Sequence, residues 1–257
     1  MLTDLVAGAV ADASERRAAR SLADVESAAL DRAPALDVLA ALAPRDRVHI
    51  IAEIKRASPS RGPLAEITDP AALASAYQLG GASAISVLTE GRRFGGTLAD
   101  LEAVREAASL PVLRKDFIAD PYQVFEARAA GADLVLLIVA ALDQTTLATL
   151  SSLIKELGMT PLVETHSATE VSRALDIGAD VIGVNARDLS TFELDQDLFG
   201  RLAGQIPSGV IRIAESAVKA PADVIHYRNS GADVVLVGEA LVTNGDPVTT
   251  LREFLVH

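Results

Sequence analysis

The chain has 257 residues and a mass of 26.8 kDa, and its 50% hydrophobic content and mean hydropathy of +0.30 exclude a disordered polypeptide and predict a substantial core. Thirty-five acidic residues against 23 basic ones give a formal charge of −12, which argues against a nucleic-acid or anionic-membrane surface. The absence of cysteine excludes disulfides, thiolate metal sites and a cysteine nucleophile, and the four scattered histidines lack the spacing of a zinc site.

Residues 1–47 contain the stretch VESAALDRAPALDVLAAL, which predicts helices packed on or capping a larger body rather than a second domain. Residues 1–16 have no continuous apolar region, so no secretory leader is expected there. The longest apolar run, 134–142, has nine residues, less than half of a membrane span. A cytoplasmic protein without a membrane partner is the expectation.

From residue 48 onward, short β-branched runs alternate with amphipathic stretches. The phrase Gly-Ala followed by Ser or Asp and an apolar run recurs at Gly81, Gly131, Gly178 and Gly231, which marks a repeated unit. Each such Gly follows an amphipathic segment and suits a helix C-terminus, while the run after it reads as a buried strand. Further strands are predicted at 48–55, 111–115, 160–165 and 210–214, giving eight in all. Helices are predicted at 70–79, 97–108, 121–130, 144–157, 168–177, 197–204, 221–229 and 247–256, several opening at Pro, Ser, Thr or Asp. Eight alternating pairs fit a (β/α)8 TIM barrel over residues 48–257, with 1–47 as an N-terminal helical extension of a single domain. No Gly-x-Gly-x-x-Gly fingerprint follows the first strand, so a dinucleotide fold is not favoured.

Chemistry in such a barrel sits where strands end and the following loops begin. Collected there are Glu53 and Lys55, Lys115, Glu164, Asn185 and Arg187, Glu215 and Ser216, and Gly238 and Glu239. Glu53 and Lys55 are two residues apart and point to the same side of their strand. Lys115 could serve as proton donor, Schiff-base nucleophile or anion ligand. Glu164 follows three non-ionisable residues, so burial is expected to raise its pKa toward a useful acid–base range; Glu215 shares that ambiguity. Any one of these could be a structural ion pair, but convergence on one mouth is not needed for stability alone. Ser58, within the segment SPSRG, and Gly238 with Glu239 suit an anion such as phosphate.

Seven segments now point to one family: IAEIKRASPSRG at 51–62, ISVLTEGRRFGG at 85–96, VLRKDFI at 112–118, LVETH at 162–166, IGVNARDLSTFELD at 182–195, IAES at 213–216 and VLVGEALV at 235–242. In order and spacing they resemble indole-3-glycerol phosphate synthase of tryptophan biosynthesis. The resemblance implies ring closure of 1-(2-carboxyphenylamino)-1-deoxyribulose 5-phosphate with loss of CO2 and water, without a metal or organic cofactor. It implies Lys115 as the acid that protonates the substrate carbonyl, with Glu164 handling protons in the later dehydration and Lys55 assisting. Glu53, Asn185 and Glu215 would orient these groups, and Arg187 would hold the cluster or the anionic ligand. Phe94, Phe117, Leu136 and Leu189 would surround the anthranilate ring. Ser58, Ser216, Gly238 and the backbone N–H of Glu239 would gather the phosphate.

Two departures from the family pattern stand out. The family commonly continues Glu-Ser-Gly where this chain has Glu215, Ser216 and Ala217, and an Asn is frequent where Ala186 stands. If that Gly serves a positive φ, Ala217 carries strain and phosphate affinity weakens. The resemblance leaves the partners as a small-molecule substrate, with a monomer expected and association with other tryptophan-pathway enzymes undecided. Phosphoribosylanthranilate isomerase, a related barrel that uses a cysteine, is disfavoured by the lack of one. A non-catalytic ligand-binding barrel is disfavoured by retention of all six ionisable and amide groups. Since the substrate carries a carboxylate and a phosphate, Lys55, Lys115 and Arg187 are expected to make the mouth locally positive against the −12 background, with capture weakening in salt.

Overall fold

In the computed structural model, eight parallel strands close into a barrel in which each strand pairs with its neighbours in sequence and the last returns to the first. The structure describes residues 1–188, 191, 193–243 and 245–255. Three helices come first, α1 (Leu2–Ala19), α2 (Leu22–Leu30) and α3 (Val38–Ala41). The barrel strands are β1 (His49–Ile54), β2 (Ala84–Leu88), β3 (Val112–Lys115), β4 (Leu134–Ile138), β5 (Thr160–Thr165), β6 (Val181–Asn185), β7 (Ile211–Glu215) and β8 (Val234–Val237). They alternate with α4 (Pro70–Gly80), α5 (Leu98–Ala107), α6 (Pro121–Ala129), α7 (Gln144–Glu156), α8 (Ala168–Asp176), α9 (Leu198–Ala203), α10 (Pro221–Asn229) and α12 (Pro247–Leu255), with a short α11 (Glu239–Thr243) directly after β8. The predicted barrel is therefore the observed one.

The alternation of each strand explains its continuous apolar run. On β1, Ile50, Ala52 and Ile54 enter the layer between sheet and helices, while Ile51 joins Leu113, Leu162, Ile213 and Leu236 inside the barrel. Both faces are dry, so both must be apolar until the strand reaches the mouth. There the inward series turns polar, and Glu53 follows Ile51 on the same face.

Helix starts are fixed by short polar side chains. Asp69, Asp143 and Ser167 accept hydrogen bonds from the backbone N–H groups of Ala72, Thr146 and Glu170. The repeated glycines end the preceding helices in the left-handed region, with φ of 100° at Gly81 and 91° at Gly131, where a side chain would be strained.

The extension reaches the functional end of the barrel. Leu5 and Ala9 of α1 pack with the barrel-interior cluster, and Arg16 holds Glu126 of α6 at 2.5 and 2.8 Å. Arg92, in the loop after β2, grips Asp12 of α1 at 2.6 Å. After β1 the chain forms a small hairpin, Ala57–Ser58 paired with Gly62–Pro63, where the sequence suggested only a phosphate-suited loop.

Candidate active site

A cavity of about 360 Å³ lies at the C-terminal ends of the strands, and each predicted site residue within the described part of the chain lines it. Leu189 lies outside the described residues. One wall is apolar: Leu5, Phe94, Phe117 and Leu136, with the two phenyl rings 6.2 Å apart and tilted by 43°. Leu5 comes from α1 and was not among the predicted residues, because nothing in a single helix reports which barrel end it covers.

The floor is a chain of opposite charges. Lys55 Nζ lies 2.6 Å from Glu53 Oε2. Lys115, at the end of β3, crosses the mouth to place Nζ 3.3 Å from Glu164 on β5 and 3.3 Å from Glu215 on β7. Glu164 and Glu215 are each only 1% exposed, so each must be either paired or neutral. Lys115 is itself buried, which opposes its charge, but the fields of Glu164, Glu215 and Glu53 outweigh that and hold it protonated.

The two buried carboxyls resolve in opposite directions. Burial favours the neutral acid in both. For Glu164 this is overcome by Lys115, His166 and the Asn185 amide, which hold it well below the usual carboxylate range. For Glu215 burial wins, reinforced by the charge of Glu164, and its pKa is pushed up to about 8 despite Lys115. The expectation of a raised pKa at Glu164 is thus overturned, while the same reasoning holds at Glu215. The residue that makes the difference is His166, whose Nε2 lies 3.3 Å from Glu164 Oε1. Its place directly after Val163-Glu164-Thr165 was the available signal, since it ends a strand as the other site residues do.

Asn185 is the joint of the opposite wall. Its Oδ1 accepts the Ser216 hydroxyl at 2.7 Å and the Arg187 backbone N–H at 3.0 Å. The Ser216 proton is therefore committed to Asn185. Arg187 forms an isolated bridge with Leu194 and is half-buried, which lowers its pKa.

The anion-suited corner combines Ser58, Ser216, Ala217, Gly238 and the start of α11. Arg61, the cation of the SPSRG segment, pairs with Glu239 at 3.0 Å and offsets the carboxylate that would repel an anion. Lys55 and Lys115 are matched by Glu53 and by Glu164 and Glu215, Arg61 is matched by Glu239, and Arg187 and Lys219 add their charge at the rim. Among the described residues no group of three or more His, Asp or Glu is placed to hold a metal ion. No helix of the described residues is long and apolar enough to cross a membrane.

Ser216 and Ala217 have φ of 70° and 59°, the positive φ that a Gly would adopt freely. Ala217→Gly is expected to raise stability by about 1 kcal/mol, net of the greater freedom glycine gains on unfolding. It should also lower the KM for the phosphorylated substrate. Urea unfolding and steady-state kinetics check this, and an unchanged KM with unchanged stability would refute it.

Fold and site together define a (β/α)8 barrel whose strand ends gather lysines and buried carboxylates at one mouth. Residues 2–254 match the family described as indole-3-glycerol phosphate synthase. The chain is 72% identical over 254 residues to the indole-3-glycerol phosphate synthase of Leifsonia xyli subsp. xyli, covering 99% of this chain and 97% of that protein. It is 60% identical over 247 residues to the protein of the same name from Mycobacteroides abscessus, covering 96% and 90%. This chain belongs to the indole-3-glycerol phosphate synthase family. Among solved structures, it resembles 3-hexulose-6-phosphate synthase with a TM-score of 0.64 at 20% identity, covering 80% of this chain and 98% of that one. It also resembles the N-acetylmannosamine-6-phosphate 2-epimerase of Clostridium perfringens with a TM-score of 0.61 at 16% identity, covering 85% and 96%. These last two likenesses bear on the fold alone.

Proposed function

We propose that the mouth closes the indole ring of 1-(2-carboxyphenylamino)-1-deoxyribulose 5-phosphate and releases CO2 and water, as family membership implies. The observation that carries this reading is Lys115 Nζ placed 3.3 Å from both Glu164 and Glu215 in a buried site. Lys115 donates a proton to the substrate carbonyl oxygen as the aromatic carbon attacks the carbonyl carbon. The carboxylate on that aromatic carbon then leaves as CO2, and its bonding pair restores the aromatic ring. Glu164, ionised, accepts a proton from the carbon next to nitrogen as the new hydroxyl departs as water, with Lys55 supplying the proton that hydroxyl needs. Each proton changes hands between groups already aimed at one point, so little reorganisation is required.

The aromatic ring of the substrate fits against Phe94, Phe117 and Leu136, and its phosphate fits the corner of Ser58, Ser216, Gly238 and the Glu239 backbone. Mixing protein and substrate and following indole fluorescence tests the activity. Well-folded protein that binds substrate without a fluorescence change would refute it.

Glu215 gives the activity a basic limit. Its neutral form keeps the mouth from holding a third carboxylate without a cation of its own, so turnover is expected to fall as pH rises past about 8. The sign for stability is the same. A carboxyl whose folded pKa is raised favours folding below its unfolded pKa and loses that advantage as pH rises through about 8, at no more than about 1.4 kcal/mol per pH unit. Glu215→Gln should flatten the stability profile between the unfolded carboxyl value and pH 8, measured by denaturation across pH. An unchanged slope would rule out this assignment.

We further read the chain as a cytoplasmic monomer of one domain, with 1–47 integral to the barrel. The packing of Leu5 and the Arg16–Glu126 pair support the single domain. Sedimentation velocity tests the monomer.

A further inference from the structure

Resting on the reading of Glu164 as the carboxylate that moves protons, we propose that His166 and Glu170 are positioning residues for it. His166, as an imidazolium hydrogen-bonded to Glu170 and in ion-pair contact with Glu164, keeps Glu164 anionic with one oxygen turned to the mouth.

The geometry is specific. Glu164 divides its oxygens, Oε2 lying 3.3 Å from Lys115 Nζ and Oε1 lying 3.3 Å from His166 Nε2. The other ring nitrogen, Nδ1, lies 3.2 Å from Glu170 Oε2, and that same oxygen accepts the His166 backbone N–H at 2.8 Å. A carboxylate oxygen within 3.3 Å of each ring nitrogen favours the protonated ring, so the imidazole is held as a cation by the two charges. Glu170 cannot drift, because it sits in the first turn of α8, three residues after the capping Ser167. The imidazole side chain is 13% exposed, so its pairing with a buried carboxylate is only weakly screened.

The charged and polar groups that bear on Glu164 come from every side. Lys115 faces it from β3, Asn185 from β6, Glu215 from β7 and His166 from the end of its own strand. Lys115 is shared with Glu215 and moves in the reaction, so it cannot by itself hold Glu164 ionised through the cycle. His166 supplies a second cation that takes no part in the substrate chemistry. Burial works against the charge of this ring, but the two carboxylates push its pKa up to about 10, so the cation persists across the working range.

The test compares His166→Gln, Glu170→Gln and Glu164→Gln with the parent enzyme, measuring kcat and KM across pH alongside thermal unfolding. For His166→Gln, kcat at neutral pH should fall about tenfold as Glu164 loses its fixed orientation, and the acidic limb should rise by about one pH unit as loss of one neighbouring cation implies. KM should stay within about twofold, since neither residue meets the substrate. Glu170→Gln keeps the backbone acceptor and the imidazole in place, so it reports even if the histidine variant folds poorly. It should move the same limb in the same direction by less. Folded variants with the parent limb would overturn the proposal while leaving Glu164 in its role, provided Glu164→Gln is inactive. A lower kcat with an unmoved limb would do the same. Full turnover by Glu164→Gln would remove both the role of Glu164 and the proposal built on it.

Discussion

Lys115→Ala should lower kcat by about 10³-fold, the scale of a lost general acid. The variant removes the one cation that touches both Glu164 and Glu215, at 3.3 Å from each. Chemistry loses its proton donor, and the two buried carboxyls lose their shared counter-ion. The second effect is predicted to destabilise the protein by about 3 kcal/mol at neutral pH, because truncating one member of a buried charge cluster leaves the others uncompensated. Acid should relieve that penalty, since Glu164 can then take up a proton in the folded state. Indole fluorescence in single-turnover mixing and urea unfolding at two pH values measure the two effects separately. Residual turnover within about tenfold of the parent would end the case for Lys115 as the acid.

Gly238→Ala is the second large effect, and sequence gave little reason to rank it so high. A Cβ at this position would fall well inside van der Waals contact with Glu53 Oε2 and 3.1 Å from Lys55 Nζ. The 2.6 Å pair between those residues fills the space that a side chain would need. One methyl group therefore has to displace a buried ion pair, a shift approaching 1 Å in groups whose placement sets the rate. We expect kcat/KM to fall about 10²-fold, with a larger loss than for Ser58→Ala in the same corner. Steady-state kinetics decide it. Parent-like kcat/KM would mean that Lys55 and Glu53 tolerate movement and play no positioning part.

The barrel was legible because its signal is local and repeated. Short β-branched apolar runs such as 134–138, bounded by the Gly-Ala phrases that repeat the end of one helix and the start of the next strand, read as strands dry on both faces. Even the strand ends could be read, since the period of two puts Glu53 on the face of Ile51. The small hairpin after β1 escaped notice because two-residue strands have no period to detect. Leu5 escaped because the direction in which α1 lies across the mouth is set by distant partners, Asp12 with Arg92 and Arg16 with Glu126. The sequence also could not show the pairing behind the expected positive charge of Lys55, Lys115 and Arg187: in the folded chain Lys55 and Lys115 each meet a carboxylate, as Arg61 does at the rim.

The aliphatic composition, the lack of cysteine and the strand-end residues determined the barrel, the location of its site and the use of lysines and carboxylates there. They did not determine which carboxylate carries a proton. Glu164 and Glu215 each follow an apolar strand, and each is buried to the same degree, so apart from His166 two residues after Glu164 their local sequences ask for the same pKa. Folding sets them apart, because His166 from the same strand end turns onto Glu164 and Asn185 is brought to it, while Glu215 is left with a share of Lys115 and a neighbouring negative charge. A period of two settles which way a side chain faces; its charge is settled by what other strands bring within about 4 Å of it.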